Sequence, residues 1–152
     1  MRLIAALVLG FVLLGATTAA EALPAERIVI ATRTGPRTLR VEIAADPASR
    51  EHGLMGRKHL APDAGMLFDF HKPMMAAFWM KDTPLSLDML FVRSDGSVSS
   101  IAANAVPFSE KEIVSVEPIR AVIEIKGGGA HALGIAPGDV VHARAFANKS
   151  AH

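Results

Sequence analysis

Apolar residues recur at every second position in two well-separated stretches, and this alternation constrains the fold more than any other feature of the chain. Over 38–45, Leu39, Val41 and Ile43 fall on one side while Thr38, Arg40 and Glu42 fall on the other. Over 119–126, Ile119, Ala121, Ile123 and Ile125 oppose Arg120, Glu124 and Lys126. Side chains of an extended strand point alternately to opposite faces, so both stretches read as strands half buried against a core. Further strands are expected over 27–32, 65–70, 78–81, 87–93, 98–103, 112–116 and 140–146. Between two apolar runs, Ser94-Asp95-Gly96-Ser97 predicts a hairpin with a type I′ turn, because Asp-Gly reaches positive φ at little cost.

Helix is scarce. Asp46-Pro47 supplies an N-cap and a first helical residue, which predicts a short helix over 47–55 ended by Gly56. A single helical turn fits 130–133, before Gly134, and Pro137-Gly138 reads as a turn feeding the last strand, a device of small β-barrels. The expected fold is mainly β with minor α: a compact, single-domain, barrel-like mixed sheet with one short helix.

The N-terminus reads differently from the rest. Arg2 precedes an unbroken apolar run over 3–16, small residues follow, and Ala20-Glu21-Ala22 offers a cleavage site before Leu23. That is the pattern of a secretory signal peptide over 1–22, and the run is short for a membrane-spanning helix, which needs about 20 apolar residues. The chain has 0 cysteines, so lipid attachment through cysteine, disulfides, thiolate catalysis and Cys-ligated metals are excluded. Removal of the segment leaves about 130 residues, enough to bury roughly two thirds of the unfolded surface in one domain over 23–148 with a polar tail over 149–152. Arg2 and Glu21 cancel, so the net charge stays at +1, which argues against nucleic-acid partners. The mature protein is expected to be a periplasmic or secreted monomer that meets the membrane only through its signal segment.

Three blocks occur in order: Gly53-Leu54-Met55, Gly65-Met66-Leu67-Phe68 and Trp79-Met80-Lys81-Asp82-Thr83. With Leu87, Asp88 and the Asp95-Gly96 turn they make the chain, from about Val41 to Val141, resemble the domain of unknown function 192 family. These are small bacterial and archaeal proteins without an established activity. The resemblance implies a compact, mainly β, barrel-like domain and carries over no catalytic residue. The family often has Asn where this chain has Asp82.

Several polar residues in and around these blocks need a reason. On a strand, Trp79 and Lys81 share a face, which places Lys81 beside the indole ring. One reading is a pocket in which Trp79 stacks on a ligand while Lys81, Asp82 and Thr83 hold its polar part. The other makes Trp79 a core aromatic, lets Lys81 snorkel, and leaves Asp82 and Thr83 to bond locally before Pro84. Asp88 falls on the face shared by Leu90 and Val92. A carboxylate there is buried and paired, with Lys81, Arg50, Arg57 or Arg120, or exposed at the strand end, or catalytic. Arg50 and Arg57, two helical turns apart, are candidates for an anion clamp or for structural pairing.

The six histidines show no zinc-binding spacing. Met74, Met75 and Met80 are soft thioethers, yet Met55, Met66, Met80 and Met89 lie in apolar runs where gap-filling accounts for them. No metal and no cofactor are expected. Nucleophile motifs such as G-x-S-x-G are missing, and Asp82 with Asp88 is the one carboxylate pair available for glycoside chemistry. Gly127-Gly128-Gly129 lacks the Lys of a phosphate-binding loop and reads as a turn of close backbone approach. The functional expectation is an exported binding module for an unidentified envelope small molecule or protein. The alternatives are a hydrolase-like enzyme with Asp88 or Asp82 as acid or base and Lys81 or Arg50 holding an anionic group, and a structural partner of a membrane or secretion complex.

Overall fold

The computed structural model describes residues 22–146. Of the expected signal segment over 1–22 all but Ala22 lies outside the described residues, as does the expected polar tail over 149–152. Among these described residues, nine strands and two helices follow in the order β1 (Ala25–Thr32), β2 (Gly35–Ala44), α1 (Pro47–His52), β3 (Ala64–Met74), β4 (Ala77–Phe78), β5 (Leu87–Val92), β6 (Val98–Ala105), β7 (Ile113–Val114), β8 (Ile119–Lys126), α2 (Gly129–Leu133) and β9 (Val140–His142). The fold is mainly β with minor α, as the sequence predicts. No helix among the described residues is long and apolar enough to cross a membrane.

Seven strands form one mixed sheet in the order β6-β5-β8-β3-β2-β1-β9, and β4 pairs with β7 in a small second sheet. Only β2 and β3 run parallel, with α1 in their crossover. The large sheet curls until its ends meet. The Val98 N–H donates to the Asp139 carbonyl at 2.8 Å, the Val141 N–H to the Gly96 carbonyl at 2.8 Å, and Ser97 bridges Val140. Curling gives the sheet an inside and an outside, and both are covered. Ile28, Val41, Leu67, Leu90 and Ile123 belong to one buried cluster. Leu54, Met66, Phe68, Met89, Phe91 and Val122 belong to a second.

That second cluster overturns the polar face expected for β8. Arg120 is partly covered and Glu124 is buried, because β8 lies at the centre of the sheet between β3 and β5. Further expectations are corrected. The first helix stops at His52, not at Met55: Gly53 caps it, its N–H donating to the Ser49 carbonyl, while the Phe68 ring lies against its Cα. Asp46 and Ser49 form a reciprocal capping box at its start. Among the described residues there are two short helices rather than one, the turn expected at 130–133 being α2. Among the residues of the hairpin turn only Gly96 has positive φ, at 87°, and its N–H donates to the Arg93 carbonyl at 3.0 Å while the Arg93 N–H donates to Ser97. This is a type I turn closed by a glycine bulge, not type I′, which would need Asp95 in the left-handed region as well. The strands expected over 112–116 and 140–146 shorten to β7 and β9, the latter ended by a turn in which the Phe146 N–H donates to the Ala143 carbonyl at 3.1 Å.

Candidate functional site

The strand expected over 78–81 is cut to β4, and the chain then leaves the sheet. The Met80 N–H bonds the Ser109 carbonyl at 2.8 Å and its side chain enters the second core. Asp82 adopts φ 53°, and its carbonyl accepts from the Gly56 N–H at 2.8 Å. Asn and Asp are the residues best suited to that conformation after glycine. Thr83 is buried, its hydroxyl donating to the Lys81 carbonyl at 3.0 Å. Trp79 is not a core aromatic: 46% of it is exposed, and the Lys81 ammonium stands 5.2 Å from the ring centroid. The expected proximity of these two residues is therefore present, at a surface.

Trp79 and Thr83 line a cleft of about 280 Å³ between α1, β3 and the β4 segment. Its walls are aromatic. Phe78 meets Phe68 edge to face at 5.1 Å, Phe70 at 6.3 Å and Phe91 at 6.4 Å, an arrangement that suits the ring quadrupoles. Met74 and Met75 lie exposed at its rim. Arg50 lines the wall with its guanidinium donating to the carbonyls of Ala45 and Asp69 and lying 5.8 Å from the Phe70 centroid.

Glu124 closes the buried end of this cleft. The sheet register sets its side chain among those of Met66 on β3 and Met89 on β5. It is only 4% exposed, and among the described residues its carboxyl has no hydrogen-bond or ion-pair partner. Burial lifts that carboxyl from 4.5 to about 8, so it holds its proton at neutral pH. Neutral carboxyls in apolar clefts are a recurring feature of functional sites. Sequence reasoning missed Glu124 by taking strict alternation to mean a wet face. The available signal was Val122, an apolar residue between Arg120 and Glu124 on that face.

Asp88 lies elsewhere, on the opposite side of the sheet, and the expected cation is not its partner. Fully buried, it accepts the backbone N–H groups of Asn104 at 2.7 Å, Gly128 at 3.0 Å and Ala130 at 2.9 Å. Backbone donors reach it because β6 and the glycine turn after β8 both converge on the start of β5. That turn thus holds one of the protein's own carboxyl groups. Arg120 pairs instead with Asp69. Arg57 joins Glu42 at 2.5 Å in a separate, wider depression, and that hydrogen bond raises its already high pKa. Arg50 and Arg57 therefore line different hollows and do not form a clamp. Asp82, exposed, and Asp88, enclosed, do not form a carboxylate pair.

Two crystal structures resemble this chain over most of its length. One, from Sinorhizobium meliloti and described as a "putative transcription regulator", is 44% identical, covers 84% of this chain and 100% of its own, and superposes with a TM-score of 0.82. The other, a protein of unknown function from Novosphingobium aromaticivorans, is 39% identical, covers 83% and 94%, and has a TM-score of 0.77. The model of the domain of unknown function 192 family, described as an uncharacterised ACR, matches residues 28–143. No curated protein matches the sequence.

Proposed function

Because the chain belongs to the domain of unknown function 192 family, which is uncharacterised, we propose a function from the site itself: this is an exported binding protein whose aromatic cleft receives a small envelope molecule at Glu124. The observation that carries this reading is the pairing of a cavity with a buried, unpartnered carboxyl at its inner end. A carboxyl that borders an apolar cleft, keeps its proton there and has no protein partner among the described residues is placed to bond a ligand. Trp79, Thr83 and Arg50 belong to the walls of this site, Lys81 and Asp82 to an adjoining hollow that shares Trp79, and Asp88 and Arg57 to the scaffold. Export rests on the apolar run and small residues of 1–22. The description of the Sinorhizobium meliloti relative would call for nucleic acid, but a net charge of +1 lacks the excess that phosphate binding draws on.

One experiment tests both halves. The full chain is expressed in a Gram-negative host, the periplasmic fraction is incubated with envelope extract, and native mass spectrometry reads what stays bound. The expected result is a protein beginning near Leu23 with an added small-molecule mass, a mass that is lost in Glu124→Leu. Recovery of the intact chain with the membranes would replace the cleaved, released protein with one held by an uncleaved N-terminal anchor. A bare mass in every extract would refute the binding cleft.

A further inference from the structure

Resting on that reading of the cleft, we infer that its ligand is a small organic ammonium ion whose N–H groups donate to Glu124 and whose hydrocarbon body lies against Phe68 and Phe78. Three observations lead there. The walls are of the kind that accept a cation after water has left: aromatic rings with negative faces and the polarisable thioethers of Met55, Met74 and Met75. The structure already places cations on two aromatic rings of this cleft, Lys81 on Trp79 at 5.2 Å and Arg50 on Phe70 at 5.8 Å. Among the described residues, however, no cation reaches Glu124. Burial alone moves its titration, and Arg50 is tied to two carbonyls instead.

The groups that face Glu124 bear this out. Its neighbours on β3 and β5 are Met66 and Met89, which do not titrate, and the Thr83 hydroxyl is engaged with the Lys81 carbonyl. The charged or titratable groups on the same cleft are Arg50, Glu51 and His52 at the end of α1, and Arg120 and Lys126 lie at the ends of its own strand. A neutral ligand would meet a protonated carboxyl and gain one hydrogen bond. An ammonium ion gains a charge-assisted bond in a desolvated site, where such bonds are strongest. Ionising a group that titrates at about 8 reduces occupancy only about tenfold at pH 7. The cavity, at about 280 Å³, lies at the small end of ligand sites.

The chain has 1 tryptophan, and it lines the cleft, so its fluorescence reports occupancy without a label. Purified protein would be titrated with n-pentylamine, and with pentanol and pentanoate as neutral and anionic counterparts, from pH 6 to pH 9. The expected result is saturable binding of the amine that weakens about tenfold per pH unit below about 8, with pentanol and pentanoate at least about tenfold weaker at pH 8. Glu124→Gln should lose amine binding at least about tenfold while its thermal unfolding stays cooperative; the wild-type pH slope stands even should that variant fold poorly. Tighter pentanol binding that weakens above pH 8 would overturn the ammonium assignment and leave the binding cleft standing. A silent tryptophan with all three probes would overturn the assignment too, and the extract experiment alone then judges the cleft.

Discussion

Replacing Glu124 by glutamine should remove a defined part of the pH dependence of folding. In the folded chain this carboxyl titrates at about 8, against 4.5 when unconstrained. Between those values the unfolded chain has released a proton that the folded chain still holds, so the unfolded state binds fewer protons and stability falls as pH rises. The slope is about 1.4 kcal/mol per pH unit, which accumulates to about 5 kcal/mol by pH 8 and about 3 kcal/mol by pH 7. Against a total domain stability of about 5–15 kcal/mol this is a large fraction. The comparison is urea unfolding of wild type and Glu124→Gln at unit steps from pH 5 to pH 9, followed by circular dichroism. An amide in the same place carries its own burial cost, but that cost does not vary with pH. The wild type should therefore lose stability relative to the variant across the window and run parallel to it above about pH 8. A difference constant within about 0.5 kcal/mol from pH 5 to pH 9 would refute both the burial argument and the protonated state at neutrality.

Two other substitutions test the scaffold. Asp88→Ala orphans three backbone N–H groups and should cost about 3–5 kcal/mol, whereas Asp88→Asn, which keeps one good acceptor, should cost less; urea midpoints for both within error of wild type would contradict the enclosed carboxylate. At Gly65 a Cβ would stand 2.5 Å from the Glu124 carbonyl oxygen, a backbone atom that cannot yield without parting β3 from β8. Gly65→Ala should therefore destabilise by about 1–3 kcal/mol in thermal melts, and an unchanged midpoint would show that the strands can separate at no cost.

Much of the architecture was legible because period-two patterning is a local property. The bounds of β8 follow from its alternation alone, and the Asp46-Pro47 cap marks where α1 begins. What escaped depends on partners distant in sequence. Glu124 has the same local pattern whether water or protein covers it, and only the packing of Leu54, Phe78 and Met80 onto that face decides. Apolar neighbours on both faces marked Asp88 as buried or at an exposed strand end, without deciding between them and without naming its partners. A cation is a residue type that can be searched for in a sequence; a backbone N–H belongs to every residue except proline and leaves no trace there. Trp79 was ambiguous for a related reason, since an aromatic in an apolar stretch reads the same at the surface of a cleft as inside a core.

The placement of β8 also governs how the chain can fold in time. It is made late, from Ile119, yet in the sheet it separates β3 from β5. Until it arrives, β1 to β3 and the β5–β6 hairpin have no shared ladder, and neither piece covers both of its faces. Closure of the core thus waits on pairings between distant parts of the sequence, which places this chain among slowly folding β topologies. A growing polypeptide of this kind stays extended and open to chaperones until its last quarter emerges. Any truncation before Ile119 should yield an aggregation-prone chain and not a smaller native unit.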